Sequence, residues 1–197
     1  MIQDSLGRLF ILLAAGIWLG GFIMLGYGVA PVNFGIAESW QLDGVNPSLP
    51  EQHVNYRTIG GALTGDSIAR LNQIESLCLT FIVLGLALAW RNQTGSRRNR
   101  IIRTFLITAI VILFYYYVVS VGGRLMEIRN TVPIDFGITD DAMKSALHLE
   151  FDRLHKTYTR TASVVMMLLA ALFALTIFDG TGNRIRILKK TEPADQS

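Results

Sequence analysis

The chain has 197 residues, of which 51% are hydrophobic and 17% charged, with a formal net charge of +3 and a positive mean hydropathy. So large an apolar share exceeds what the core of one domain absorbs, and the excess must face lipid. The basic residues flank apolar runs instead of forming a patch, which argues against nucleic acid as a partner.

The first apolar run, Leu9 to Val29, meets the requirement of about 20 residues for a spanning helix. Gly28-Val29-Ala30 is a small-residue triplet of the kind that precedes signal cleavage. Pro31 follows it directly, however, and Asp4 stands against Arg8 without a basic cluster, so the run reads as a retained helix. Gly16 and Gly20 form a small-xxx-small pair suited to close helix packing.

From Pro31 to about Tyr56, Gly35, Gly44, Pro47 and Pro50 lie among polar residues, which predicts a long external loop with Trp40 docked at the membrane interface. From Thr58 onward Ile59, Ala62, Leu63, Ile68, Leu71 and Ile74 recur at helical spacing and predict a helix that continues into the second span, ending near Trp90. Gly61 and Gly65 are a second small-residue packing pair on it. The single cysteine, Cys78, excludes an internal disulfide and reads as a small buried hydrophobe.

Arg91, Arg97, Arg98, Arg100 and Arg103 join the second and third spans with no acidic residue among them, the signature of a cytoplasmic loop and a partner for anionic lipid head groups. Tyr115, Tyr116 and Tyr117 point in different directions around the third helix, which suits packing or interfacial roles. That span ends near Gly122-Gly123, and Pro133 limits any further helix.

Thr139, Asp140 and Asp141 are a suitable helix start, with acidic charge at the positive dipole end. Leu147, Phe151, Leu154 and Tyr158 then recur at helical intervals, predicting a helix over residues 140–179. Arg184, Arg186, Lys189 and Lys190 share the side of the arginine loop, and the polar end with Pro193 reads as a mobile tail.

These elements predict an all-α, four-transmembrane-helix bundle with helix extensions on the extracytoplasmic side. The single domain covers residues 1–183, with spans at 9–30, 68–90, 104–122 and 161–179, and residues 184–197 form a basic, then flexible cytoplasmic tail. The expected location is the plasma (bacterial inner) membrane, multi-pass, with N- and C-termini cytoplasmic.

Two clusters carry candidate chemistry. His148, Asp152 and His155 share one helix face at i, i+4 and i+7, a donor set that suits a divalent metal. Asp66, Arg70, Glu75, Arg124, Glu127 and Arg153 lie at the outer ends of three spans, where ionisable groups need partners; Glu75 or Asp66 is expected to pair with Arg124 or Arg153. No catalytic triad, phosphate loop or dinucleotide fingerprint is present, which favours a non-enzymatic role.

The segment IWLGGFIMLGYGVAPVNF, with Trp18, Gly20, Ala30, Pro31 and Phe34, resembles the first-helix signature of the transmembrane-protein-205-like family, also called domain of unknown function 4149. GGALTGDSIARLNQIE is similar to that family's glycine-rich entry to the second helix, and FDRLHKTY to its Phe-x-x-Leu-His motif before the fourth. Where the family usually has a small hydroxyl residue one turn after the histidine, Tyr158 stands here, and the first external segment is enlarged. The resemblance implies a four-helix membrane domain without an established reaction, whose animal relatives are associated with resistance to platinum drugs. A more distant likeness to CopD-type copper-resistance proteins and HemJ-type protoporphyrinogen oxidases implies divalent metal or haem as candidate cofactors.

Three expectations follow. The first is a protein that binds or helps move a metal or small ion at the outer polar cluster. The second is a structural or accessory subunit, as a homo-oligomer or within a larger membrane complex. The third is a haem- or copper-linked redox protein with axial ligands from His155 and Met126, Met166 or Met167.

Overall fold

The computed structural model describes residues 2–42, 56–91, 97–131 and 142–191, all of them helical. In chain order the elements are α1 (Ile2–Ile23), a π-helical stretch (Met24–Val29), α2 (Ala30–Leu42), α3 (Tyr56–Arg91), α4 (Arg97–Phe114), a second π-helical stretch (Tyr115–Gly122), α5 (Gly123–Thr131) and α6 (Ala142–Thr191). Four helical runs are long and apolar enough to cross a membrane: Ser5–Ser39, Leu63–Trp90, Arg97–Arg129 and Ala146–Phe178. Only 22–33% of their most apolar windows is buried inside the protein, so most of that surface must meet lipid. The protein is thus an all-α, multi-pass membrane protein.

Buried residues recur three and four apart on each helix, the spacing that lets near-antiparallel helices interlock side chains. Ile11, Ala14, Ala15 and Trp18 form such a stripe on α1, and Val165, Leu169, Leu172 and Thr176 form one on α6. The opposite faces leave Leu9, Leu13, Ile17, Phe105 and Met167 exposed, as lipid contact requires.

The chain resolves into two compact units. One comprises Met1–Leu19, Ser76–Ile112 and Val165–Ser197. Here α1 and α3 meet backbone to backbone: a Cβ on Gly7 would lie 2.5 Å from the Gly85 carbonyl oxygen, and one on Gly85 would lie 2.6 Å from that of Gly7. Phe10 and Phe81 pack edge to face beside this crossing at 5.6 Å. The Arg100 guanidinium lies 5.9 Å from the centre of the Trp90 ring, while Arg97 and Arg98 are exposed and Arg103 is buried. Thr176 Oγ1 donates to the Leu172 carbonyl at 2.7 Å, satisfying its hydroxyl within the helix.

The other unit comprises Gly20–Glu75 and Leu113–Val164. Its first helical segment runs through Pro31 to Leu42, where the sequence predicts a loop. Proline lacks an N–H, and its ring collides with the carbonyl four residues back in a regular helix. The widened turn before it removes that conflict: the Ala30 N–H donates to the Leu25 carbonyl, five residues back. Gly44, Pro47 and Pro50 fall outside the described residues, as do Pro133 and the expected helix start at Thr139–Asp141, and the docking of Trp40 falls outside the described side chains.

α6 likewise exceeds its predicted end at 179 and reaches Thr191. No proline interrupts it before Pro193.

At the two small-residue pairs the surroundings differ from glycine to glycine. A Cβ at Gly16 would make ordinary contact with Phe173 at 3.7 Å, and one at Gly20 or Gly61 would meet no described atom within 4 Å. Gly65 makes room for the Arg129 guanidinium. The close backbone approach falls instead at Gly7 and Gly85, too far apart in sequence to register as a local motif.

Candidate functional site

Within the Gly20–Glu75 and Leu113–Val164 unit, the 3–4 stripe of α3 carries Glu75 onto the buried face after Leu71, and the third helix carries Phe114, Tyr117 and Val121 inward. Glu75 and Tyr117 both have no exposed surface, and Tyr117 Oη donates to Glu75 Oε2 at 2.6 Å. This short bond between helices is what an ionisable side chain at membrane depth requires. The Tyr117 ring packs edge to face on Phe114 at 5.6 Å and on Tyr158 at 5.1 Å. Tyr158 Oη in turn donates to Asn72 Oδ1 at 2.8 Å. Three helices are thus joined by two hydrogen bonds and one ring contact.

This geometry falls within the second π-helical stretch. Of the three consecutive tyrosines, Tyr117 alone is buried, while Tyr115 and Tyr116 are exposed. A side chain at Gly122 would press on the Tyr117 carbonyl and approach the Tyr158 ring, so the glycine keeps both in place.

Beside this network lies an open cavity of about 1110 Å³. Its apolar walls come from Leu25, Ala30 and Phe34, from Ile68 and Ala69, from Val118, Leu125 and Met126, and from Phe151. Gly26, Gly61, Gly65, Gly122 and Gly123 give it smooth floor sections. Six polar side chains complete it: Thr64, Asn72, Arg129, Asp152, His155 and Tyr158. Phe34 lies flat enough on α3 to occupy the space a Cβ at Gly60 would need, and Asn33 Nδ2 donates to Thr64 Oγ1 at 3.4 Å.

The charged groups pair differently from the sequence expectation. Arg124 binds Glu150 through Nε (2.8 Å) and Nη2 (3.1 Å), and Glu127 through Nη1 at 2.9 Å. Asp66 pairs with Arg129 at 3.2 Å. Neither Glu75 nor Asp66 therefore partners Arg124: Glu75 sits on the buried stripe, bonded to Tyr117, and Asp66 is taken by Arg129, further along α5. Arg70 and Arg153 are exposed.

His148, Asp152 and His155 share a helix face without converging on one point. Asp152 pairs with Lys156 at 2.6 Å, and the His155 ring stacks on Phe151 at 6.2 Å. Among the described residues no three His, Cys, Asp or Glu side chains are placed to hold a metal ion. One helix supplies ligands from a single side only, and a metal needs donors arranged around it. Asp152 and His155 do reach the cavity wall, together with Met126.

Sequence reasoning passed over Tyr117, Tyr158, Asn72, Arg129 and Glu150 as site residues. Tyr117 was accessible to it, since it continues the buried spacing of Arg103, Ile107, Ile110 and Phe114 on one face. Asn72 as the partner of Tyr158 and Glu150 as that of Arg124 were not, because they lie on other helices.

Fold and site together define a multi-pass, all-α membrane protein with a buried acid–tyrosine pair and an apolar cavity beside it. No protein-family model, curated protein or solved structure matches the chain.

Proposed function

We propose that the protein is a non-enzymatic binding protein of the plasma (bacterial inner) membrane that holds a small apolar molecule in the cavity of the Gly20–Glu75 and Leu113–Val164 unit. The observation that carries this reading is the cavity itself: a large, mainly apolar space with six convergent polar groups, the combination that ligand sites share. Glycine at Gly61 and Gly123 leaves the space open, since a Cβ at either would meet no described atom within 4 Å.

The arginine-rich connection after α3 supports a topology with both termini in the cytoplasm. His155 of the FDRLHKTY segment lines the cavity, and Tyr158, which departs from the transmembrane-protein-205-like pattern, lines it too, so the reading rests on this chain's own residues. A role in moving a metal or small ion draws less support. The charged pairs Arg129–Asp66, Arg124–Glu150 and Asp152–Lys156 satisfy one another, as a structural network does.

The test is purification in mild detergent, followed by native mass spectrometry of the intact protein. Wild type is expected to carry a bound small molecule that Gly61→Leu lacks and Gly20→Leu retains; a wild-type protein free of any such mass refutes the reading. Labelling of Arg98→Cys from the cytoplasm and Glu127→Cys from outside checks the orientation, and buried Cys78 gives a low background.

One observation favours a second reading, a haem-linked protein: His155 and Met126, two side chains able to ligate iron, line the same cavity. A Soret band lost in His155→Ala supports it, and a colourless wild-type preparation rejects it.

A further inference from the structure

Resting on the cavity reading, we infer that the ligand is an uncharged amphiphile of membrane-quinone chemistry: a flat, carbonyl-bearing ring with an apolar chain. Charge selects first. The two charged groups in the wall are neutralised by protein partners, Arg129 by Asp66 at 3.2 Å and Asp152 by Lys156 at 2.6 Å. An anionic head would have to compete with Asp66 for Arg129 while facing a mainly apolar wall, where a charge finds little solvation.

Shape selects next. Along α3 the lining runs from Gly61 to Asn72. Eleven steps of helix rise make the slot roughly 16 Å long, enough for a ring and a short chain. Along α3 a polar side chain stands near each end of the lining, with apolar ones between them. Asn72 and Tyr158 stand at one end, Thr64 near the other, and Ile68 and Ala69 in the middle. Such a slot places a polar ring at one end and the chain along the apolar wall.

Hydrogen-bond chemistry selects last. The His155 imidazole is a donor suited to a ring carbonyl, and a tyrosine oxygen that donates to Asn72 Oδ1 can still accept from a hydroxyl. Glycine floor sections at Gly61 and Gly123 admit the face of a flat ring, and Phe34 and Phe151 offer aromatic walls.

The experiment measures binding of three probes to the purified full chain in detergent: a decyl-substituted benzoquinone, decylbenzene, and oleate. The quinone is expected to bind about tenfold or more tightly than decylbenzene, the effect of one or two neutral hydrogen bonds. Gly61→Leu and Gly123→Leu should lose quinone binding while Gly20→Leu keeps it. His155→Ala should narrow the gap between quinone and decylbenzene without weakening decylbenzene, a pattern that a general loss of structure does not produce. Equal binding of quinone and decylbenzene overturns the head-group assignment, and so does oleate binding as tightly as the quinone. Either result leaves the cavity reading standing. Failure of every probe to bind wild type overturns both.

Discussion

Tyr117→Phe is the most incisive perturbation, because it removes one hydroxyl and keeps the ring that packs on Phe114 and Tyr158. The lost bond is short (2.6 Å) and both residues are fully buried, so no water replaces the donor. Leaving a buried acceptor without its donor costs about 1–3 kcal/mol in soluble proteins. Hydrogen bonds between membrane helices average about 0.6 kcal/mol in double-mutant cycles, with a maximum of about 1.7. The single substitution is therefore expected to destabilise by about 1–2 kcal/mol. Its coupling to Glu75→Met, which removes the acceptor, should be about 0.6–1.7 kcal/mol in a double-mutant cycle. Equilibrium unfolding in mixed micelles with a denaturing detergent measures both. Stability of Tyr117→Phe within about 0.3 kcal/mol of wild type, together with no coupling, would refute the claim that this bond ties α3 to the third helix.

Gly85→Ala is expected to cost about 1–3 kcal/mol by the same unfolding assay, since its methyl group meets the Gly7 carbonyl and overpacking of this kind has no flexible neighbour to yield. Gly20→Ala, which meets no described atom, should be near neutral. Arg124→Gln removes both hydrogen bonds to Glu150, and hydrogen exchange should become faster at the amides of residues 146–150 but not at those of residues 165–172.

The residues explain which features the sequence could disclose. Glu75 stands out in the linear pattern because Leu71, Glu75, Cys78, Leu79 and Ile82 share one face, so a polar residue there must be inside. Pro31 misled the reading, because a proline normally ends a helix and the compensating π turn has no sequence signature of its own. His148, Asp152 and His155 looked like ligands by spacing alone, and spacing on one helix does not bring in donors from another.

By itself the sequence determined the helical class and the number of membrane crossings. Those properties follow from the free energy of apolar and polar groups in lipid and from the 3.6-residue period, and both act locally along the chain. The tertiary structure decided the partners: Tyr117 for Glu75, Asn72 for Tyr158, Glu150 for Arg124, and the cavity walled by α2, α3, α5 and α6 residues. Pairing depends on the register between helices separated by 26 to 86 positions, which the packing of whole helix faces fixes and no local pattern encodes.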